Sequence, residues 1–189
     1  MLRSRETSGG VLRIALFKMT GSLVVMGVAG CGKSSLGAAL ARAEGLHLIE
    51  GDIYHDETSI EKMRSGIALT DADREGWLTR LGQELARHHG GGAVLTCSAL
   101  RRVYRDRLRA ASPGLRFVFL DIDRGTALQR VRARASEHFF SADLVDSQFA
   151  TLESPVGEPG VLRLDATTPL EQLRQATSAW LRAGAGVGR

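Results

Sequence analysis

Asparagine is absent from all 189 residues, and that absence removes one class of nucleotide-binding protein. A guanine-nucleotide switch reads its base with an Asn-Lys-x-Asp motif, which this chain cannot form. Cysteine occurs only twice, at Cys31 and Cys97, too sparse and too far apart for a disulfide framework or a metal cluster. Two reduced thiols fit a cytoplasmic setting. No apolar run approaches the roughly 20 residues needed to span a bilayer; the longest are like LVVMGVA. Aromatic residues make up 5% and never interleave with a basic patch. The net charge of +4 therefore reads as an arginine-rich composition, not a nucleic-acid surface, and it steers anionic small molecules toward the protein. Internal repeats, low-complexity blocks and interdomain linkers are also lacking.

From residue 22 onward, short apolar runs with β-branched content alternate with helix-like stretches. SLVVMG, LHLIEG, AVLTCS, LRFVFLDI and VLRLDA read as five buried strands. A helix is expected over about Lys33 to Glu44, and Trp77, Leu81 and Leu85 mark the buried face of another. Thr58 with Glu61 and Thr168 with Glu171 have capping-box spacing, and Pro169 suits a first helical position. Alternation of this kind implies an α/β protein of three layers, α/β/α, around a five-stranded parallel sheet. Residues 21–183 are expected to form a single domain. Residues 1–20 read as a leader or an over-extended start, and 184–189 as a flexible tail.

MGVAGCGKSS, from Met26 to Ser35, satisfies G-x-x-x-x-G-K-[ST] between a strand and a helix. Gly27, Val28, Ala29, Gly30, Cys31, Gly32, Lys33, Ser34 and Ser35 are the expected nucleotide-binding residues. Their backbone N–H groups and the helix N-terminus face phosphate oxygens. Lys33 reaches the β- and γ-phosphates, and the Ser34 hydroxyl ligates Mg²⁺. Asp121 and Asp123 superficially match a magnesium-directed acid, but Asp123 is better placed to cap the next helix. The short chain points to a small-molecule kinase of the P-loop kinase fold using ATP and Mg²⁺.

The acceptor side begins at GDIYHDETSIEKMRSGIALTDADREGWL, residues 51–78. Asp52 falls at the carboxyl end of the second strand, where open α/β sheets bind ligands. A carboxylate there can orient an alcohol and take its proton. His55, Lys62, Arg64 and Arg74 follow closely, suggesting a pocket for a polyhydroxylated anion.

This segment resembles the gluconokinase family, whose pattern runs GD-x-x-H-P-x-x-N-x-x-K-M-x-x-G-x-P-L-x-D-x-D-R-x-P-W-L. CSALRRVYRDRLR (97–109) and HFFSADLVDSQFATLESP (138–155) resemble two further family blocks, and the likeness covers roughly residues 22–180. Asp56, Ser59, Ala68 and Gly76 depart from the pattern, replacing Pro, Asn, Pro and Pro. The resemblance implies transfer of a phosphoryl group from ATP to the 6-hydroxyl of D-gluconate. It also implies a small helical lid over about 130–142 whose Arg130 and Arg134, at i and i+4, cap the transferring phosphate. Lys33, Asp52, Arg130 and Arg134 are then the expected catalytic residues. Asp52, His55, Lys62, Arg74, Ser98, Arg101 and His138 are the expected contacts to substrate, with Tyr104 and Arg105 weaker candidates. A kinase for another hydroxy acid, such as shikimate, and a nucleotide-binding regulatory module are the alternatives. Gluconate and ATP are the expected partners, and assembly, as a homodimer or otherwise, is left open.

Overall fold

The computed structural model describes residues 21–133 and 143–184. Five strands, β1 (Leu23–Met26), β2 (His47–Glu50), β3 (Ala93–Thr96), β4 (Arg116–Asp121) and β5 (Val161–Asp165), form one parallel sheet in the order β2-β3-β1-β4-β5. Among the described residues there are seven α-helices: α1 (Lys33–Glu44), α2 (Glu57–Arg64), α3 (Asp71–Arg87), α4 (Arg102–Ala111), α5 (Arg124–Ala133), α6 (Asp143–Thr151) and α7 (Leu170–Gly184). The five strands and α1 stand where their sequence patterns put them.

Two-residue alternation along each strand divides the core into two layers. Leu23 and Val25 of β1 face one way, packing with Leu36 and Leu40 of α1 and Leu173 and Leu181 of α7. Val24 and Met26 face the other way, packing with Trp77, Leu81 and Leu85 of α3 and Tyr104 and Leu108 of α4. This is the expected three-layer α/β/α architecture. Because both faces are covered, β1 and β3 are buried along their whole length and β4 through its middle, while the edge strands β2 and β5 carry polar residues. Among the described residues, no helix is long and apolar enough to cross a membrane.

Helix caps refine the expected boundaries. α2 is capped by Asp56, whose Oδ1 accepts from the Ser59 amide at 2.8 Å, so the Thr58–Glu61 box does not form. An aspartate two residues earlier offers a carboxylate to the free N–H groups of the first turn and wins. Pro169 stands just before α7, its carbonyl accepting from the Leu173 amide at 3.1 Å. Glu171, expected to close a box with Thr168, is bound instead to Arg174 and Gln175. Asp123 caps α5 as expected, accepting from the Thr126 amide at 2.9 Å. Thr70 and Asp73 make a reciprocal capping box on α3 that spacing alone left unnoticed.

The turn after β3 is held by a buried ion pair. Ala99 adopts a positive φ of 45°, unfavourable for a residue with a Cβ. The Arg105 guanidinium, with no exposed surface, donates to the carbonyls of Ala99 (2.8 Å) and Leu100 (3.1 Å). Glu158 neutralises it at 2.5 Å and also binds Arg109 at 2.8 Å. Arg105 is thus a scaffold residue and lies outside the functional cavity. Glu158→Ala should strand a buried charge and lower unfolding free energy by about 3–5 kcal/mol in a denaturant titration. Wild-type stability would show that the pair does not hold the turn.

Candidate active site

The loop between β1 and α1 is forced into shape by close packing beneath it. Gly27 has φ 140°, and a Cβ there would lie 2.7 Å from the Leu120 carbonyl oxygen, so no larger residue fits. Val28 and Cys31 are buried in the core under the loop, and burial raises the Cys31 thiol pKa. Ala29, Gly30, Gly32, Lys33, Ser34 and Ser35 line a cavity above it. Lys33 Nζ donates back to the Val28 carbonyl at 3.1 Å. Arg130 enters the same cavity from α5, donating to the carbonyls of Gly30 (3.4 Å) and Ala166 (3.1 Å).

The opposite wall is pinned just as firmly. A 3₁₀ turn (Gly51–Tyr54) leaves β2, and a Cβ on Gly51 would lie 2.2 Å from the Thr96 carbonyl oxygen. Trp77 Nε1 donates to the Gly51 carbonyl at 2.7 Å. These ties place the exposed Asp52 on the cavity wall, facing the loop that carries Lys33. His55 stacks on Trp77, with ring centroids 4.3 Å apart and 11° between planes. Arg74, only 8% exposed, and Ser98 complete the polar wall.

Two polar atoms on this wall are buried without a partner among the described residues: Nδ1 of His55 and Nε of Arg74. Such groups are costly unless a ligand satisfies them. Burial pushes the His55 pKa from 6.5 down to about 4; Asp52 pulls it back upward and Arg74 deepens the depression. The ring is therefore neutral at pH 7 and can donate from one nitrogen while accepting at the other.

Lys62 and Arg101 are not brought into the cavity. Lys62 pairs with Asp73 at 2.6 Å, joining α2 to α3, and its hydrogen bond holds the Asp73 pKa down at about 2. Arg101 pairs with Asp71 and with Glu153, tying the start of α4 to α3 and to the segment after α6. Tyr104 donates to the same Asp71 carboxylate. A cation already matched by carboxylates has little left for an anionic ligand. Lys33, Arg74 and Arg130, by contrast, make no salt bridge among the described residues and all line the cavity. Arg134 and His138 lie outside the described residues.

Glu50 was not legible as a site residue. Its Oε2 accepts from the Ser34 hydroxyl at 3.1 Å and from the Thr96 hydroxyl at 2.6 Å. The signal was E-G-D at the end of β2, two acids flanking the glycine that turns the chain. A hydroxyl and a carboxylate beside the phosphate loop are hard oxygen donors of the kind Mg²⁺ takes. Asp121, the rival acid, is engaged by Arg163 at 2.6 Å. Gln148 of α6 was also missed: its Oε1 accepts from the Ala29 amide at 2.7 Å. Asp56, a departure from the family pattern, spends its charge on the α2 cap and lies outside the cavity lining, as do Ser59 and Gly76. Only Ala68 among the four departures lines it.

The depressed His55 pKa makes stability depend on pH. Between about pH 6.5 and 4 the unfolded chain holds a proton there that the folded chain does not. Stability should therefore fall as the pH drops through that window. His55→Phe, which keeps an aromatic ring on Trp77, should flatten the wild-type loss in melts across pH 7 to 4. Parallel curves would show that His55 is not the group responsible.

A family profile described as "AAA domain" matches residues 23–159. The chain is 44% identical to a gluconokinase of Gluconobacter oxydans over 75% of its own length and 80% of the relative's. It is 39% identical to the thermosensitive gluconokinase of Escherichia coli, covering 84% and 88% of the two chains. A crystal structure of a gluconokinase from Sinorhizobium meliloti superposes with a TM-score of 0.81 at 43% identity, covering 89% of this chain and 95% of that one. Identity at this level, sustained over most of each relative and matched by the fold, means that the chain belongs to the gluconokinase family.

Proposed function

We propose that the chain phosphorylates D-gluconate at its 6-hydroxyl with ATP, giving 6-phospho-D-gluconate and ADP. One observation carries this reading: a phosphate loop whose lysine has no carboxylate partner among the described residues shares a cavity with Asp52, neutral His55 and a buried arginine whose Nε is unbonded. The loop amides and Lys33 receive the triphosphate. Arg74 suits the gluconate carboxylate, since a guanidinium binds carboxylates through two parallel N–H donors. His55 and Ser98 are placed to hydrogen-bond the sugar hydroxyls.

With the acid group so held, the other end of the chain-like sugar extends to Asp52. Its hydroxyl oxygen bonds to the γ-phosphorus as the bond from that phosphorus to the β–γ bridging oxygen breaks. The electron pair leaves on ADP, and the hydroxyl proton passes to the Asp52 carboxylate. Arg130 neutralises charge on the phosphoryl oxygens, a role proposed for Arg134 as well, with His138 a proposed contact to substrate and about 130–142 the proposed lid. Ser34 and Glu50 would hold Mg²⁺, which would supply charge neutralisation for the triphosphate. The rate enhancement then comes from alignment and preorganised charge more than from covalent chemistry. Residues 21–183 act as one kinase domain, in the cytoplasm.

Incubation with ATP and Mg²⁺ plus gluconate, shikimate or no acceptor should give rapid ADP release with gluconate alone. Equal release in all three would mean an ATPase or regulatory module, and preference for shikimate would reassign the acceptor. Asp52→Asn should lower kcat by about 10²-fold or more with ATP affinity unchanged. Parallel loss of ATP binding would show that Asp52 acts on the nucleotide side.

A further inference from the structure

We propose that Gln148 touches the phosphate loop and the transferred phosphoryl group at once: its carboxamide oxygen holds the Ala29 amide while its carboxamide nitrogen donates to a γ-phosphate oxygen. The proposal rests on the ATP-dependent reading above and adds a residue that neither motif nor spacing assigned.

Gln148 lies 119 residues from Ala29, yet its Oε1 accepts from that amide at 2.7 Å. Because the donor is a backbone N–H, only the oxygen of the carboxamide can face it, which fixes the orientation of the group. Gln148 lines the cavity together with Lys33, Asp52 and Arg130. The end of the triphosphate it meets follows from Lys33, whose ammonium rests on the Val28 carbonyl, one residue before Ala29. That ammonium is the group that reaches the β- and γ-phosphates, so Ala29 and Gln148 stand at the terminal phosphate.

The helix that carries Gln148 is firmly seated. Leu144 and Val145 are buried, and Asp146 takes two hydrogen bonds from Arg124 of α5, at 2.5 and 2.7 Å. A side chain on such a support can hold a donor in place before the charge develops, which is what makes preorganised donors effective. Glutamine meets both demands because its uncharged carboxamide accepts at one atom and donates at the other. Glutamate has the same shape and keeps the acceptor, but it lacks the donor and sets a negative charge against the phosphate.

That difference separates the proposal from a purely structural role. Wild type, Gln148→Ala and Gln148→Glu are compared as full chains by thermal melting, by kcat and KM for ATP and gluconate, and by calorimetric affinity for ATP and ADP. Gln148→Ala should lose roughly 10²-fold in kcat with KM for gluconate unchanged. Gln148→Glu should melt like wild type, fall below the alanine variant in kcat, and weaken ATP binding much more than ADP binding. If the glutamate variant kept wild-type kcat, the side chain would only be supporting the loop, and the proposal would fall. It would fall equally if Gln148→Ala bound ATP more tightly without losing turnover, since the oxygen would then merely compete with phosphate. Should the alanine variant fail to fold, the isosteric glutamate variant still decides. A wild-type protein inactive on gluconate would overturn the acceptor assignment, while the ATP-versus-ADP comparison would still decide the Gln148 contact.

Discussion

The Thr96 side chain joins the two halves of the site. Its hydroxyl donates to Glu50 at 2.6 Å and accepts, more loosely, from the Gly51 amide at 3.4 Å. Glu50 in turn accepts from Ser34 on the phosphate loop at 3.1 Å. One residue at the end of β3 thereby couples the loop after β1 to the turn after β2. The parallel register that pairs Val25 with Thr96 and Thr96 with Glu50 makes this possible. Donor and acceptor sides cannot drift apart without breaking sheet pairing, so the distance a phosphoryl group must cross is set by the backbone. Precision of this sort belongs to strands more than to loops.

Charge is distributed to match. Many arginines among the described residues, such as Arg87, Arg102, Arg124 and Arg163, are matched by carboxylates at the surface, where such pairs contribute little to stability. The cavity cations are different: Lys33 and Arg130 rest on backbone carbonyls and Arg74 keeps a buried nitrogen unbonded. Lys33, Arg74 and Arg130, gathered in one cavity and free of carboxylate partners among the described residues, give it electrostatics suited to triphosphate and sugar acid together. A neutral His55 fits the same logic, since a further positive charge beside Arg74 would be expensive in a half-buried wall.

Local chemistry made much of this readable in advance. The glycine loop, the acid after β2 and the buried stripe of Trp77, Leu81 and Leu85 each follow from rules that act over a few residues. Pairings across long stretches of chain did not. Lys62 and Arg74 look equivalent in sequence, both cationic and both near Asp52, and only the fold shows that Asp73 occupies one while the other is buried at the cavity. Gln148 was invisible as a contact because nothing near it in sequence points to Ala29. Asp56 and Ser59, two departures from the family pattern, turn out to be one feature: an aspartate cap on the amide it needs. The Thr58 and Thr168 boxes failed because a better-placed acceptor stood nearby, a competition that spacing rules do not weigh.

The account stands on a sugar acid lying between Arg74 and Asp52 with its free alcohol toward the triphosphate. A crystal structure with a non-hydrolysable ATP analogue, Mg²⁺ and gluconate tests this directly. It should show the gluconate carboxylate on the Arg74 guanidinium and the terminal hydroxyl between Asp52 and the γ-phosphate bound by Lys33. Gluconate seated with its carboxylate toward the phosphate, or outside this cavity with Asp52 facing solvent, would contradict it.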